Sequence, residues 1–238
     1  MKCIMDLHTH TIASGHGYST LQENIAEAQR MGLKYLGMSE HGPTIPGGPH
    51  LMFFWNFKCI PRMHGDLRLL CGAEANITDG DGKMDLDDQT LAKMDYVIAS
   101  MHPPCMTPGS REYNTRSAIL AMQNPYVKIL GHPDDARFPL DYDELVRAAK
   151  AEQVALEINN SSPHPQSPRP GARENIMTML DKCMKYEVPV LLGTDSHISY
   201  TIGKFDCAMG ISEEMQFPSE LIMNYDPENI KKLINVKI

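Results

Sequence analysis

The sequence predicts an α/β fold whose parallel strands close into a barrel, and three observations carry that expectation. Short apolar runs alternate with segments of helical spacing, and strands separated by helices pair in parallel. Most of these runs lead into a histidine or a carboxylate, and barrels of this architecture place their chemistry at the C-terminal ends of the strands. The chain has 238 residues, a length such barrels use for one domain, and no low-complexity linker or internal repeat divides it. Residues 1–238 therefore read as one domain.

The elements follow in order. Cys3–Leu7 is a first apolar strand, and Leu21–Met31 has helical spacing with Gly32 as its stop. Tyr35–Met38 leads into Ser39-Glu40-His41, Leu67–Ala73 into Glu74, Tyr96–Ala99 into His102, and Val127–Leu130 into His132. Asp141–Gln153 reads as a helix before the buried strand Val154–Ile158. Arg173–Tyr186 reads as another helix before Val188–Leu192, which leads into Asp195 and His197. Pro227–Ile234 reads as a C-terminal helix, with Asp226 as cap and Pro227 at its first position. Pro43–Pro61 breaks the rhythm: it is rich in Pro and Gly and carries Phe53, Phe54, Trp55 and Phe57. It reads as a loop packed over the barrel, or as a lip over the site or a contact for a second copy of the chain.

Composition narrows the function. A hydrophobic fraction of 42% is enough for one large core. Net charge is −8, and no run of Lys or Arg provides the footprint of a long nucleic acid. Divalent metals would reverse the field locally, so an acidic chain remains compatible with a phosphorylated substrate. Cys3, Cys59, Cys71, Cys105, Cys183 and Cys207 form no Cys-x-x-Cys pair. With no signal peptide they read as reduced thiols of a cytoplasmic protein. The strongly apolar stretch Leu51–Trp55 is far too short to span a bilayer.

Seven of the ten histidines lie in a few short motifs, most directly after an apolar run. Imidazoles clustered with carboxylates suit zinc, manganese or iron. His8 and His10 are two apart, so on a strand both face one way and reach one metal; an alternating strand with two unrelated histidines has the same spacing. Asp6 shares that face and is the expected acceptor fixing an imidazole tautomer. His16 sits between glycines in a loop, and His41 follows a strand. Glu74 ends a buried strand, where a carboxylate needs a metal or an ion pair, and it is able to bridge two ions. His102 and His132 each precede proline, which favours an extended backbone at the histidine. Asp195 and His197 repeat the spacing of two. His50, His64 and His164 lie outside the motifs and read as structural or exposed. Arg169 and Arg173 lie in a Pro- and Ser-rich loop and read either as forks for a substrate phosphate or as solvated charges.

These motifs resemble the PHP superfamily, named for polymerase and histidinol phosphatase, and within it the YcdX-like group of phosphatases. The resemblance runs over essentially the whole chain and includes Ser14-Gly15-His16-Gly17-Tyr18-Ser19-Thr20, Ser39-Glu40-His41-Gly42-Pro43 and Ala155-Leu156-Glu157-Ile158-Asn159-Asn160-Ser161-Ser162. It implies a distorted, TIM-like (β/α)7 barrel holding three divalent ions, commonly zinc, with manganese and iron as alternatives. By motif, His8, His10, Glu74 and Asp195 hold the first ion, and Glu74 bridges to a second held by His102 and His132. His16, His41 and His197 hold the third. The implied activity is a phosphatase for small phosphomonoesters using metal-activated hydroxide, with Glu74, Asp195 and His197 at the catalytic centre. A phosphodiesterase for short oligonucleotides, a histidinol phosphatase and a non-catalytic metal-binding regulator are the alternatives. Asp134-Asp135 after His132-Pro133 departs from the family pattern, which has less acidic residues there.

Overall fold

The computed structural model describes residues 2–235. Its strands are β1 (Met5–Asp6), β2 (Tyr35–His41), β3 (Met63–His64), β4 (Leu67–Ile77), β5 (Val97–Met101), β6 (Val127–Leu130), β7 (Ala155–Asn159) and β8 (Val190–Gly193). The helices are α1 (Leu21–Met31), α2 (Leu51–Trp55), α3 (Asp88–Leu91), α4 (Arg111–Met122), α5 (Tyr142–Glu152), α6 (Ala172–Tyr186), α7 (Asp206–Glu214) and α8 (Ile230–Leu233). The sheet order is β1-β2-β4-β5-β6-β7-β8, every neighbour parallel, with β3 added antiparallel to β4.

Seven parallel strands thus form a nearly closed barrel. The seam between β8 and β1 is joined by a parallel bridge between Thr9 and Ser196. Below it, the Asn224 amide donates to Met5 O (3.0 Å) and Leu192 O (2.8 Å), supplying backbone partners that a continuous ladder would otherwise provide. Among the described residues no helix is long and apolar enough to cross a membrane.

Local chemistry fixes the element ends. Thr20 and Glu23 form a reciprocal capping box on α1, and Gly32 ends it in the left-handed conformation. Asp141 caps α5 by accepting from the Asp143 and Glu144 amides. The expected C-terminal helix is split. Asp226 caps a single 3-10 turn, Pro227–Asn229, and α8 follows it.

Two expectations are corrected. Glu74 does not end its strand, because β4 continues to Ile77 with Glu74 opposite His41, the last residue of β2. The aromatic segment 53–57 is packed onto the barrel and is not a free lip, with Trp55 its most exposed ring. Phe54 and Phe57 are buried in the core, and the rings of Phe53, Phe54 and Phe57 pack edge to face. Ile45 and Pro46, earlier in the same loop, are the part that reaches the site.

Strand periodicity carries each barrel strand from an apolar floor to a polar mouth. Residues two apart face the same side, so Leu70, Gly72, Glu74 and Asn76 form one inward row on β4. Tyr96, Ile98, Ser100 and His102 form the matching row along β5, and Leu191, Gly193 and Asp195 that along β8. At the floor Met5, Leu7, Leu70, Tyr96, Ile98, Ile129 and Leu191 close into one apolar cluster. Glycine at position 72 is what admits the Tyr96 ring, since a Cβ there would lie 2.5 Å from it. The Tyr96 hydroxyl then donates to Leu7 O (2.5 Å) and ties β5 across to β1.

Candidate metal centre

Above that floor the strand ends bring seven histidines and two carboxylates together. Glu74 is central and fully buried. Its Oε2 faces His41 Nδ1 (2.8 Å), His8 Nε2 (3.3 Å) and His10 Nε2 (3.4 Å). Its Oε1 faces His132 Nε2 (2.8 Å) and His102 Nε2 (3.4 Å). Asp195 Oδ1 lies 3.2 Å from His10 Nε2 and 3.6 Å from His8 Nε2. His197 stacks on His10, and its Nε2 lies 2.9 Å from His16 Nε2.

Several of these rings are held from behind. His8 Nδ1 donates to Glu157 Oε1 (2.7 Å), and His102 Nδ1 donates to Asn76 Oδ1 (2.7 Å). His10 Nδ1 donates to Ser14 Oγ (3.0 Å), which donates on to Glu40 Oε2 (2.5 Å). His197 Nδ1 donates to the carbonyl two residues before it, Asp195 O (2.9 Å). Each bond fixes a tautomer that leaves Nε2 bare and turned to the cluster, as metal-binding imidazoles require.

The donors are short of partners. Nε2 of His8 and of His10, Nδ1 of His41 and Oε2 of Glu74 are buried with no hydrogen-bond partner. Four lone-pair atoms facing one another would be costly in a proton-only site, and a cation satisfies all of them. Four donor triplets lie close enough to share an ion: His8, His10 and Glu74; His41, Glu74 and His102; His8, His132 and Asp195; and His10, His41 and His197. The residues present therefore fit divalent metal.

In the metal-free site the cluster carboxylates stay charged, and His8 draws an extra proton onto the nitrogen that an ion would otherwise take. Burial works against charge on Glu74, but His8, His41 and His102 outweigh it and hold the carboxyl well below its usual range. Asp195 is held low in the same way by His8 and Arg169 against its burial. Burial also opposes charge on His8, yet Glu157, Glu74 and Asp195 raise it well above the ordinary histidine value. His10 and His102 are lowered, first by burial.

Three readings of the sequence need correction here. Asp6 holds no imidazole. It accepts instead from Thr194 Oγ1 (2.6 Å) and Gly203 N (3.0 Å): β1 ends after two residues, and beyond it Leu7 joins the apolar floor while His8 faces the ligand cluster, so strand parity with Asp6 is lost. Glu157 has the role expected of Asp6. It also accepts from the His132 amide (2.8 Å), and Gly193 leaves room for it, since a Cβ there would lie 1.8 Å from Glu157 Oε1. His132 is not extended, since its φ is +28°; Asp195 also has positive φ, +53°. Strain at two of the cluster residues is consistent with backbone set by the site rather than by local preference. Arg173 pairs with exposed Glu214 on α7 and does not line the cleft.

Arg169 does enter the site. Its Nη2 donates to Asp195 Oδ2 (2.9 Å) and its Nη1 to Ser162 Oγ (3.1 Å). It stands between two hollows of about 440 and 540 Å³ that share His16, Asp195 and His197. The first is rimmed by Ile45, Pro46, Pro103 and Pro104, with Arg137 held by Asp135 (2.6 Å) at its edge. The second is more polar, with Asn160, Ser161, Gln166 and His164. His50 caps α2 and His64 contacts Pro61 O (2.9 Å), both away from the cluster. Glu157, Glu40 and Asn76 escaped the motif reading. A carboxylate inside a buried strand was the signal that exposed Glu74, and it applies equally to Glu40 and Glu157.

The family model described as PHP domain matches residues 6–162. A Clostridium acetobutylicum protein named a probable phosphatase is 44% identical over 237 residues, covering 100% of this chain and 96% of its own. A Caldanaerobacter subterraneus protein of the same name is 40% identical, covering 100% of this chain and 93% of its own. Among solved structures, histidinol phosphate phosphatase from Lactococcus lactis, complexed with zinc, L-histidinol and phosphate, superposes with a TM-score of 0.60 at 17% identity. That match covers 92% of this chain and 95% of the other, and it establishes the barrel fold.

Proposed function

The chain belongs to the PHP domain family, and from that premise we propose that it is a phosphatase hydrolysing small phosphomonoesters at a centre of three divalent ions. The observation that carries this reading is Glu74, a buried carboxylate with one oxygen turned to each of two histidine groups. His8, His10, Glu74 and Asp195 would hold one ion, Glu74, His102 and His132 a second, and His16, His41 and His197 a third. His41 also lies 2.8 Å from Glu74 Oε2, which links the third group to the bridge. Zinc suits this donor set, as do manganese and iron(II).

Bound divalent metal supplies Lewis-acid polarisation of phosphate oxygens and an activated water near neutral pH. The protein's own residues do the rest. Glu157, Asn76 and the Ser14–Glu40 pair orient the rings. Arg169 offers a planar fork to phosphate oxygens from the cleft wall. Asp195 holds that fork and at the same time faces His8 and His10. The first hollow receives the organic part of the ester against its proline rim. Arg173 has no part in this reading.

The test is turnover by chelator-stripped protein refilled separately with zinc, manganese and iron, on a nitrophenyl ester, histidinol phosphate and short oligonucleotides. Monoester hydrolysis restored by one metal supports the reading and names the ion. Oligonucleotide cleavage alone would replace it with the diesterase. Full metal uptake without turnover of any ester would favour the regulator.

A further inference from the structure

Asp85 is a half-buried carboxylate outside the ligand cluster, tied to it through one side chain. After β4 the chain reverses through Asp79-Gly80-Asp81-Gly82, where Asp79 Oδ1 accepts from the Asp81 (2.9 Å) and Lys83 (3.1 Å) amides. Met84 then forms an antiparallel bridge with Ile77, and the Asp85 amide donates to Asn76 O (3.0 Å). This turn returns Asp85 to the flank of Asn76. Glycine at position 42 makes room for it, since a Cβ there would collide with both carboxylate oxygens. Asp85 Oδ1 accepts from the Asn76 backbone amide (2.9 Å). Oδ2 accepts from Asn76 Nδ2 (2.6 Å) and from Thr44 N (2.9 Å), next to the Ile45 and Pro46 that reach the site.

These bonds form a chain with one polarity. Backbone N–H groups only donate, so both Asp85 oxygens act as acceptors. That turns Asn76 Nδ2 toward Asp85 and leaves Oδ1 on the other side, where His102 Nδ1 donates to it (2.7 Å). The two ends of a carboxamide have nearly the same shape, so its hydrogen-bonding neighbours select the orientation. Asp85 makes the shorter of the two selecting bonds; the other runs from Asn76 Nδ2 to Gly42 O (3.3 Å). An amide turned the other way would set NH2 against His102 Nδ1 and move the ring proton to Nε2. That proton would block the nitrogen that faces Glu74 Oε1 at 3.4 Å.

We propose that Asp85 is a positioning residue: its carboxylate sets the orientation of the Asn76 amide, which in turn presents His102 Nε2 to a metal ion. The inference rests on the reading of His102 as a metal ligand, and on no particular substrate. Asp85 reaches no ligand atom itself and acts through Asn76.

The test is a double-mutant cycle read as zinc affinity by chelator competition, with metal content by atomic emission and the unfolding midpoint measured alongside. Asp85→Asn sets an amide NH2 among donors, and Asn76→Asp sets two carboxylates face to face. Each alone is expected to weaken one ion by roughly tenfold, the usual scale for an outer partner, with the other ions retained. Combined, they reverse the pair: the amide at 85 donates to the carboxylate at 76, which accepts from His102 Nδ1. Affinity in the double variant should therefore return toward wild type, a reversal that a merely structural role would not give. Asp85→Ala is the second variant should the asparagine fold poorly, and Asn76→Asp should rescue it too, because a carboxylate at 76 needs no orienting partner. Losses that add in the double variant, or no loss in either single one, would overturn the role. Wild-type protein that takes up no metal would overturn the metal centre, and this role with it. The affinities are read without turnover, so failure of the phosphatase reading alone leaves the result standing.

Discussion

The floor and the mouth of the barrel are made by the same strands, often by residues two positions apart, yet they follow opposite rules. At the floor Leu70, Ile98 and Leu191 are satisfied by one another, and the polar group there, the Tyr96 hydroxyl, has its acceptor at 2.5 Å. At the mouth the continuation of the same rows gives Glu74, His102 and Asp195, and buried atoms are left without partners. The floor is stabilised by burial, at about 25 cal/mol per Å² of apolar surface. The mouth is assembled against the desolvation of its own charges. A region that is complete holds the fold; a region left incomplete at its centre is built to receive something.

Breaking the mouth should separate function from fold. Glu74→Ala removes the carboxylate shared by two ligand groups. Turnover should fall by at least about 10³-fold, the scale of losing several kcal/mol of transition-state charge stabilisation. Near-normal turnover with full metal content would end the bridging reading. Breaking the floor should do the converse. Ile98→Ala opens a cavity in the apolar cluster and should cost about 2–5 kcal/mol in denaturant unfolding, with metal stoichiometry intact. If that variant lost metal before it lost stability, the two regions would not be separable.

Smaller changes sharpen the contrast. Glu157→Gln keeps the shape but weakens the acceptor behind His8, so metal affinity should drop by roughly 10–100-fold, read by chelator competition. An unchanged affinity would mean that Glu157 merely fills space under Gly193. Tyr96→Phe leaves Leu7 O without its donor and should cost about 1–3 kcal/mol of stability. Metal affinity in that variant should match wild type, because the bond lies wholly on the floor.

The same division explains what was legible in the sequence. Apolar runs that lead into His41, His102, His132 or Asp195 mark both a strand and its chemical end, so barrel and ligand cluster appeared together. α4 did not, because its buried side carries Asn114, Thr115 and Ser117 beside Ala118 and Ala121, and those polar residues hide the apolar period. Asp6 was assigned by strand parity, which lapses where β1 ends after two residues. Glu157 stood inside an apolar run and read only as part of a family pattern. Arg169 and Arg173 looked alike in one loop. What separates them is which long-range partner, Asp195 or Glu214, the fold brings near, and no local pattern encodes that.

The smallest expected effect concerns protons, and it distinguishes an incomplete mouth from a merely polar one. In the metal-free site burial opposes the His8 cation, but Glu157, Glu74 and Asp195 raise its value well above the ordinary 6.5. A histidine raised in the folded state adds stability that is complete below its unfolded value and is lost as pH climbs through the folded one. His10 and His102 are lowered, so their effect falls on the acid side of 6.5. Glu74 and Asp195 are also lowered, and their contribution is complete above the ordinary carboxylate range and lost only as pH falls through their folded values. Above 6.5, then, His8 governs among these groups, and the metal-free protein should lose stability as pH rises. A bound ion requires His8 neutral and removes that dependence. Thermal unfolding with and without chelator should therefore show a gap that widens from neutral to alkaline pH, and His8→Asn should flatten the metal-free curve. Parallel curves would mean that His8 carries no extra proton in the empty site, and that the mouth is satisfied by its own hydrogen bonds.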